Sequence, residues 1–247
     1  MHVLLDLWGT VLDGARMNRA YARRLAEILA PPFGGEPLTW ILAHDDALAW
    51  YTAKANAIDW SEGDYLEKVD ALDAEHLERL LGSAGIAWRP EDPVAYARDL
   101  EFRVMSSVDA RFPDAKPAIQ GLRKAGHRVH VVTSATDSNA RGALTGAGLL
   151  DHVDGVFTGN SVGLHKSTVA YWHRVVETMA APGGPVLVVD DRLDFLRPAV
   201  TAGLTALLID RPGSHPHEGP PSFVRAILRS LAGLPHLADL YSAGKGP

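Results

Sequence analysis

The sequence predicts an α/β protein: a doubly wound parallel sheet flanked by helices, with an all-helical segment inserted after the first strand. Three observations carry this. Short apolar runs rich in Leu and β-branched residues occupy 2–7, 128–133, 185–190 and 204–209, with a weaker run at 155–158, as suits strands buried on both faces of a parallel sheet. From about residue 113 to 210 these runs alternate with helical stretches at 115–125, 137–147, 168–179 and 193–201, the mark of a doubly wound domain. Ala-Gly pairs at 125–126, 147–148 and 202–203 close three of those helices, as glycine C-caps do.

The stretch from about 15 to 105 has no convincing strand and reads as four or five amphipathic helices. Ser61 with Asp64 fits a capping box, Asp73 and Asp92 are N-cap candidates, and Pro31-Pro32 and Pro90 punctuate. The expected division is therefore core over 1–14, helical cap over 15–105 and core again over 106–247. After Asp210 a Pro/Gly/His loop over 211–221, with His215 and His217 expected at the surface, leads to a further expected helix over 222–231 and a polar tail. Trp40, Trp50, Trp60 and Trp88 place four of the six tryptophans in the insert. A small helical unit needs large side chains to build a core of its own; one or two of them facing the rim would instead shape an apolar pocket.

The chain has 247 residues, 47% hydrophobic and 22% charged, enough for one large domain or a core plus an insert, and too apolar for disorder. Twenty-four basic against thirty acidic residues give a net charge of −6 with no basic block, so neither nucleic acid nor an anionic membrane is an expected partner. The absence of cysteine excludes disulfides, zinc–thiolate sites and cysteine nucleophiles. No apolar run reaches the roughly 18–20 residues of a membrane span, and Asp6 interrupts the first one, against a signal peptide. The expectation is a soluble, cytoplasmic protein, monomer or homodimer, acting on a small molecule.

Open parallel sheets bind ligands beyond the carboxyl ends of their strands. The first strand ends at Asp6, followed by Leu7-Trp8-Gly9-Thr10; the second ends at Thr133-Ser134; a later one ends at Asp190-Asp191, with Asp194 one turn on. Lys166 lies in a loop before a helix. Carboxylates, hydroxyls and an ammonium at one rim suit metal-assisted attack on a phosphoryl group. Trp8, Thr10 and Ser134 are candidate substrate contacts at that rim, and Arg19, Arg23, His44 and Lys54 are those of the insert.

These stretches, in this order and with the helical insert after the first, resemble the four motifs of the haloacid dehalogenase superfamily: 4–13, 131–134, Lys166, and 188–191 running to 203. The resemblance implies a strand order 3-2-1-4-5 and Asp6 as nucleophile. It implies Thr133 and Lys166 as phosphate- or charge-stabilising groups. It also implies a magnesium ion held by Asp6, Asp190, Asp191 and the backbone carbonyl of Trp8.

Trp8 departs from the pattern. Phosphatases of the superfamily usually carry a second aspartate there, which protonates the leaving group and activates water. An indole N–H only donates, and the lost acid–base help is worth about 10²–10⁴-fold. Dehalogenases that resemble this chain carry an aromatic residue at the position, and halide departs unprotonated. The Asp190-Asp191 pair points the other way, because adjacent carboxylates repel each other and Asp6 unless a cation joins them. Ser167 and Phe195 replace a usual proline and a usual aspartate, with Asp194 the nearest substitute. Three readings follow in order: a magnesium-dependent hydrolase of a small phosphorylated metabolite through an aspartyl-phosphate at Asp6, a carbon–halogen hydrolase, and a non-catalytic phosphometabolite-binding protein.

Overall fold

The computed structural model describes residues 1–179, 184–214 and 221–246. His215 and His217 lie outside the described residues. The sheet has six parallel strands in the order β3-β2-β1-β4-β5-β6: β1 His2–Asp6, β2 Arg128–Val132, β3 Gly155–Phe157, β4 Val186–Asp190, β5 Thr205–Ile209 and β6 Val224–Leu228. The five expected strands fall where the apolar runs place them, in the order the family resemblance implies.

Alternation along β1 divides its side chains between two layers, as the pleat requires. Val3 and Leu5 join one core with Val129, Val131, Leu187 and Val189, under α5 Ala115–Lys124 and α6 Asp137–Gly146. Leu4 joins Val132, Val188, Tyr171 and Trp172 on the opposite face, against α8 Val169–Thr178 and α9 Leu193–Thr201. The short α7 Gly159–Val162 precedes the loop that carries Lys166. The predicted Ala-Gly stops hold: Ala125, Ala147 and Ala202 are C-caps, and Gly126, Gly148 and Gly203 follow at positive φ.

Between β1 and α5 stand four helices: α1 Gly14–Phe33, α2 Pro37–Ala57, α3 Tyr65–Ser83 and α4 Pro93–Ser106. They share a core of their own in which Trp40 packs with Leu25, Ala43, Leu77, Leu80 and Val104. Asp92 caps α4, its side chain accepting from Ala95 N. Two capping expectations fail. Asp64, not Ser61, caps α3, while Ser61 turns back to Asp59. Asp73 sits inside α3 and is buried against Arg98, at 3.0 Å. Pro31 and Pro32 lie within the last turn of α1, which ends at Phe33 with Gly34 as its C-cap.

The C-terminal segment also departs from expectation. Where a helix was expected over 222–231, β6 pairs with β5, with a register shift between Ala206 and Leu207. The open edge of β5 offers backbone groups that need partners, and Val224 and Ile227 suit the extended form. The expected polar tail contains α10 Leu234–Ser242, whose Leu234 and Ala238 are buried in the core beneath α5. No helix among the described residues is long and apolar enough to cross a membrane.

The helical block meets the sheet domain most closely where α4 lies on α6. A β-carbon added at Gly146 would fall 2.4 Å from Val108 O and 2.6 Å from Met105 O, and one at Gly142 would fall 2.9 Å from Met105 Cβ. Backbone atoms cannot step aside as a flexible side chain can. Gly146→Ala should therefore lower unfolding free energy by about 1–3 kcal/mol through overpacking, read as a lower urea midpoint; an unchanged midpoint would show that this contact yields freely.

Candidate active site

Strand register assembles the site. Asp6 pairs in register with Val132 on one side, and on the other Leu5 aligns with Val189. Asp6 and Asp190 thus end neighbouring strands side by side, with Thr133 next in the chain after Val132. Lys166 reaches this point from the loop after α7. Its ammonium donates to Asp6 Oδ1 at 2.6 Å and to Val132 O at 3.1 Å, and pairs with Asp190 Oδ2 at 2.6 Å. Lys166 is fully buried. Its backbone is fixed by Trp172, whose Nε1 donates to Lys166 O at 2.9 Å.

Two carboxylates pair with this one ammonium, and a third stands beside them. Asp6, Asp190 and Asp191 each offer an oxygen within 4.8 Å of the others. Burial pushes the Asp190 carboxyl up to about 7 and the Asp191 carboxyl up to about 6, with a neighbouring carboxylate adding to each. Burial likewise raises Asp6. Burial opposes the Lys166 charge, but Asp190 and Asp6 outweigh it and hold the ammonium charged. Asp190 Oδ1 accepts from Arg192 N at 2.9 Å, so it also turns the chain into α9. Asp6 Oδ2 is buried with no hydrogen-bond partner among the described residues. Asp191 is packed on Gly9, where an added β-carbon would fall 2.1 Å from its Oδ2. Gly9 also sits at φ +86, so two constraints require glycine there. An orphaned buried oxygen, surplus negative charge and hard oxygen donors fit a divalent cation such as Mg2+.

Thr133 is buried, and its Oγ1 accepts from Ala135 N at 3.2 Å. Ser134 lies on the wall of a cavity of about 640 Å3 that Trp8, Thr133, Tyr65 and Glu101 also line; its carbonyl accepts from Tyr65 OH at 3.3 Å. Trp8 donates its Nε1 to Asn139 Oδ1 at 3.0 Å. Asn139 Nδ2 and Thr136 Oγ1 in turn donate to the two oxygens of Glu101 at 2.8 and 2.7 Å. Thr10 is buried off the cavity wall, its carbonyl accepting from Arg211 at 2.6 Å.

The insert's candidates separate. Arg19 and Arg23 are exposed and off the cavity wall. Lys54 is also exposed; it pairs with Glu75 at 3.1 Å and lies over Trp50 rather than lining the cavity. His44 does line it, stacked on Tyr21. Among the tryptophans, Trp40 is core and Trp88 is exposed, while Trp60 faces the cavity and stacks on His165. Asp194 is held by Arg192 at 3.0 Å, and Phe195 packs under the Lys166 ammonium at 5.1 Å.

The sequence did not point to Glu101, Asn139 or Arg98, and it offered Asp73 only as a helix cap. Each sits inside a helix, and its importance comes from a partner on another element.

Two outcomes follow from this geometry. Replacing Lys166 by Met leaves two buried carboxylates without their cation and should cost about 3–5 kcal/mol of stability. The carboxylates regain neutrality by binding protons, so the loss should be larger at pH 8 than at pH 5 in urea unfolding. For Asp73, burial pushes the carboxyl up to about 7, with Glu101 adding to it. The folded state then holds this proton more tightly than the unfolded chain, so its contribution is present at low pH and is lost as pH rises from about 4 to about 7. Asp73→Asn should flatten that part of the stability–pH curve; an unaltered slope would show that Asp73 titrates normally.

A family model described as haloacid dehalogenase-like hydrolase matches residues 1–203. Phosphatase MT3486 of Mycobacterium tuberculosis (strain CDC 1551 / Oshkosh) is 31% identical over 137 residues, 55% of this chain and 58% of that protein. Enolase-phosphatase E1 of Nocardia farcinica (strain IFM 10152) is 32% identical over 117 residues, 44% of this chain and 48% of its own. The chain thus spans about half the length of the curated relatives it matches. Among solved structures, a HAD phosphatase from Thermococcus onnurineus superposes with a TM-score of 0.61 at 19% identity, covering 96% of this chain and 97% of that one. The defluorinating L-2-haloacid dehalogenase Rha0230 superposes with a TM-score of 0.67 at 20% identity, covering 95% and 93%; both show a shared fold. With four motifs meeting at one strand-end rim and a family model covering most of its length, the chain belongs to the haloacid dehalogenase-like hydrolases.

Proposed function

We propose that the protein is a magnesium-dependent phosphatase of a small metabolite, working through an aspartyl-phosphate at Asp6, with α1–α4 as the cap over the site. The observation that carries this is the meeting of Asp6, Asp190 and Asp191 within 4.8 Å of one another, with a single ammonium paired to Asp6 and Asp190. Asp6, Asp190 and Asp191 would hold Mg2+, with the Trp8 carbonyl as the further ligand implied by the family pattern. When bound there, the ion would neutralise the carboxylates and would draw charge from the phosphoryl oxygens.

The chain's own residues account for the rest. Lys166 fixes Asp6 through Oδ1 and favours its ionised form against burial, leaving Oδ2 without a competing partner. A carboxylate oxygen of Asp6 attacks phosphorus, and the bond to the leaving oxygen breaks with its electron pair. Thr133 and Ser134 stand at the rim as donors for the phosphoryl oxygens. Water then attacks phosphorus, restoring the carboxylate and passing its proton to the phosphate released. Trp8 cannot protonate the leaving group, and its N–H is committed to Asn139. The first step therefore runs best with leaving groups that depart as stable anions.

The same feature favours a second reading, carbon–halogen hydrolysis, in which the leaving halide needs no proton. The acidic trio weighs against it, because a cation on Asp6 blunts attack on carbon.

The test is a release screen with and without a chelator, using Asp6→Asn as the blank. Acyl and aryl phosphates should release phosphate only with Mg2+, and should turn over at least about 10²-fold faster than simple alkyl phosphates. Equal turnover of both classes with chemistry rate-limiting would remove the leaving-group argument. Halide release from a 2-haloacid that persists in chelator would install the second reading.

A further inference from the structure

The part of the cavity wall that the inserted segment supplies carries charge and aromatic surface that the hydrolytic chemistry does not use. Tyr21, Tyr51, Trp60 and Tyr65 line it, together with the carboxylates of Asp73 and Glu101. Arg98 is the cation on this wall, and it serves two carboxylates at once, Asp70 at 2.5 Å and Asp73 at 3.0 Å. The hydrogen bonds to Glu101 come from neutral donors, Thr136 Oγ1 and Asn139 Nδ2. At the rim Arg192 is bound to Asp194. The wall therefore carries two carboxyl groups, both raised by burial, to one guanidinium that is already shared, and ionising a buried carboxyl without a counter-charge of its own is costly.

A second, independent observation lies in the same cavity. His44 is 5% exposed and lines the cavity, and both of its ring nitrogens are buried without a hydrogen-bond partner among the described residues. Its ring stacks on Tyr21 at 4.8 Å. Burial pushes its pKa down, so the ring is neutral and offers an acceptor rather than a competing cation. Aromatic faces, buried carboxylate and an unused imidazole acceptor in one cavity together describe the surroundings of a small organic cation with N–H to donate.

We infer that this wall binds a protonated alkylamine, the non-reacting end of a substrate whose other end lies at Asp6. The identity of that other end as a phosphate rests on the function proposed above; the ammonium site itself does not. In the complex the ammonium lies against Asp73 and Glu101, donates to a ring nitrogen of His44, and meets the faces of the surrounding rings.

The test compares ω-aminoalkyl phosphates of two to six carbons with n-alkyl phosphates of matched length. At one chain length or more, kcat/KM for the amine should exceed that for the neutral partner by at least about tenfold, roughly what one desolvated cation–π and ionic contact supplies. Asp73→Asn and Glu101→Gln should each shrink that ratio. Two variants are needed because Glu101 also anchors α4, and the ratio is internal to each protein. Phosphate release without amine preference at any length overturns the ammonium site and leaves the phosphatase reading intact.

If none of these esters is hydrolysed, tryptophan fluorescence decides the matter, since Trp8 and Trp60 line the cavity. Titration with n-butylammonium should then saturate at a concentration at least about tenfold below that for n-butanol, and Asp73→Asn should weaken it. Equal responses to cation and alcohol overturn the proposal.

Discussion

The site depends on one buried ammonium. Lys166 stands between Asp6 and Asp190, 2.6 Å from an oxygen of each, with no exposure to solvent. Removing these charges from water is expensive, and only close pairing makes the arrangement tenable. The pairing in turn demands that two strands end level with each other, as the parallel register of β1 with β4 provides. One ammonium cannot balance three carboxylates. The remaining charge, the orphaned Asp6 Oδ2 and the seat of Asp191 on Gly9 are the features on which the proposed hard cation rests.

Trp8 gives this member its particular character. Its indole is tied through Asn139 to Glu101. That chain joins the turn after β1, the helix after β2 and the last helix of the inserted block. The residue that elsewhere in the family carries the exchangeable proton is here a structural strut, and it ties the cavity's shape to the docking of α4 on α6. Under the proposed function, rigidity at this position and the loss of acid–base help both follow from the one indole.

Much of this was legible in the sequence because it is local. The apolar runs mark strands buried on both faces, the Ala-Gly pairs mark helix ends, and Asp6, Thr133 and Asp190 are readable as strand-end residues. What escaped was non-local. Residues 222–231 have a pattern compatible with helix, and the edge of β5 decides for strand. Asp73 looks like a cap from its neighbours and is in fact a buried partner of Arg98 on another helix. Arg19 and Lys54 carry the charge a substrate contact needs, yet both are exposed and off the cavity wall, whereas Glu101 carries no local signal of the contacts it makes.

The account stands on the claim that Asp6, Asp190 and Asp191 share one ion. Titrating the metal-free protein with Mn2+ and following the free-ion electron paramagnetic resonance signal tests it most directly. One site per chain, weakened at least about tenfold in Asp191→Asn, is the predicted result. The absence of a site, or one indifferent to that substitution, would contradict the account.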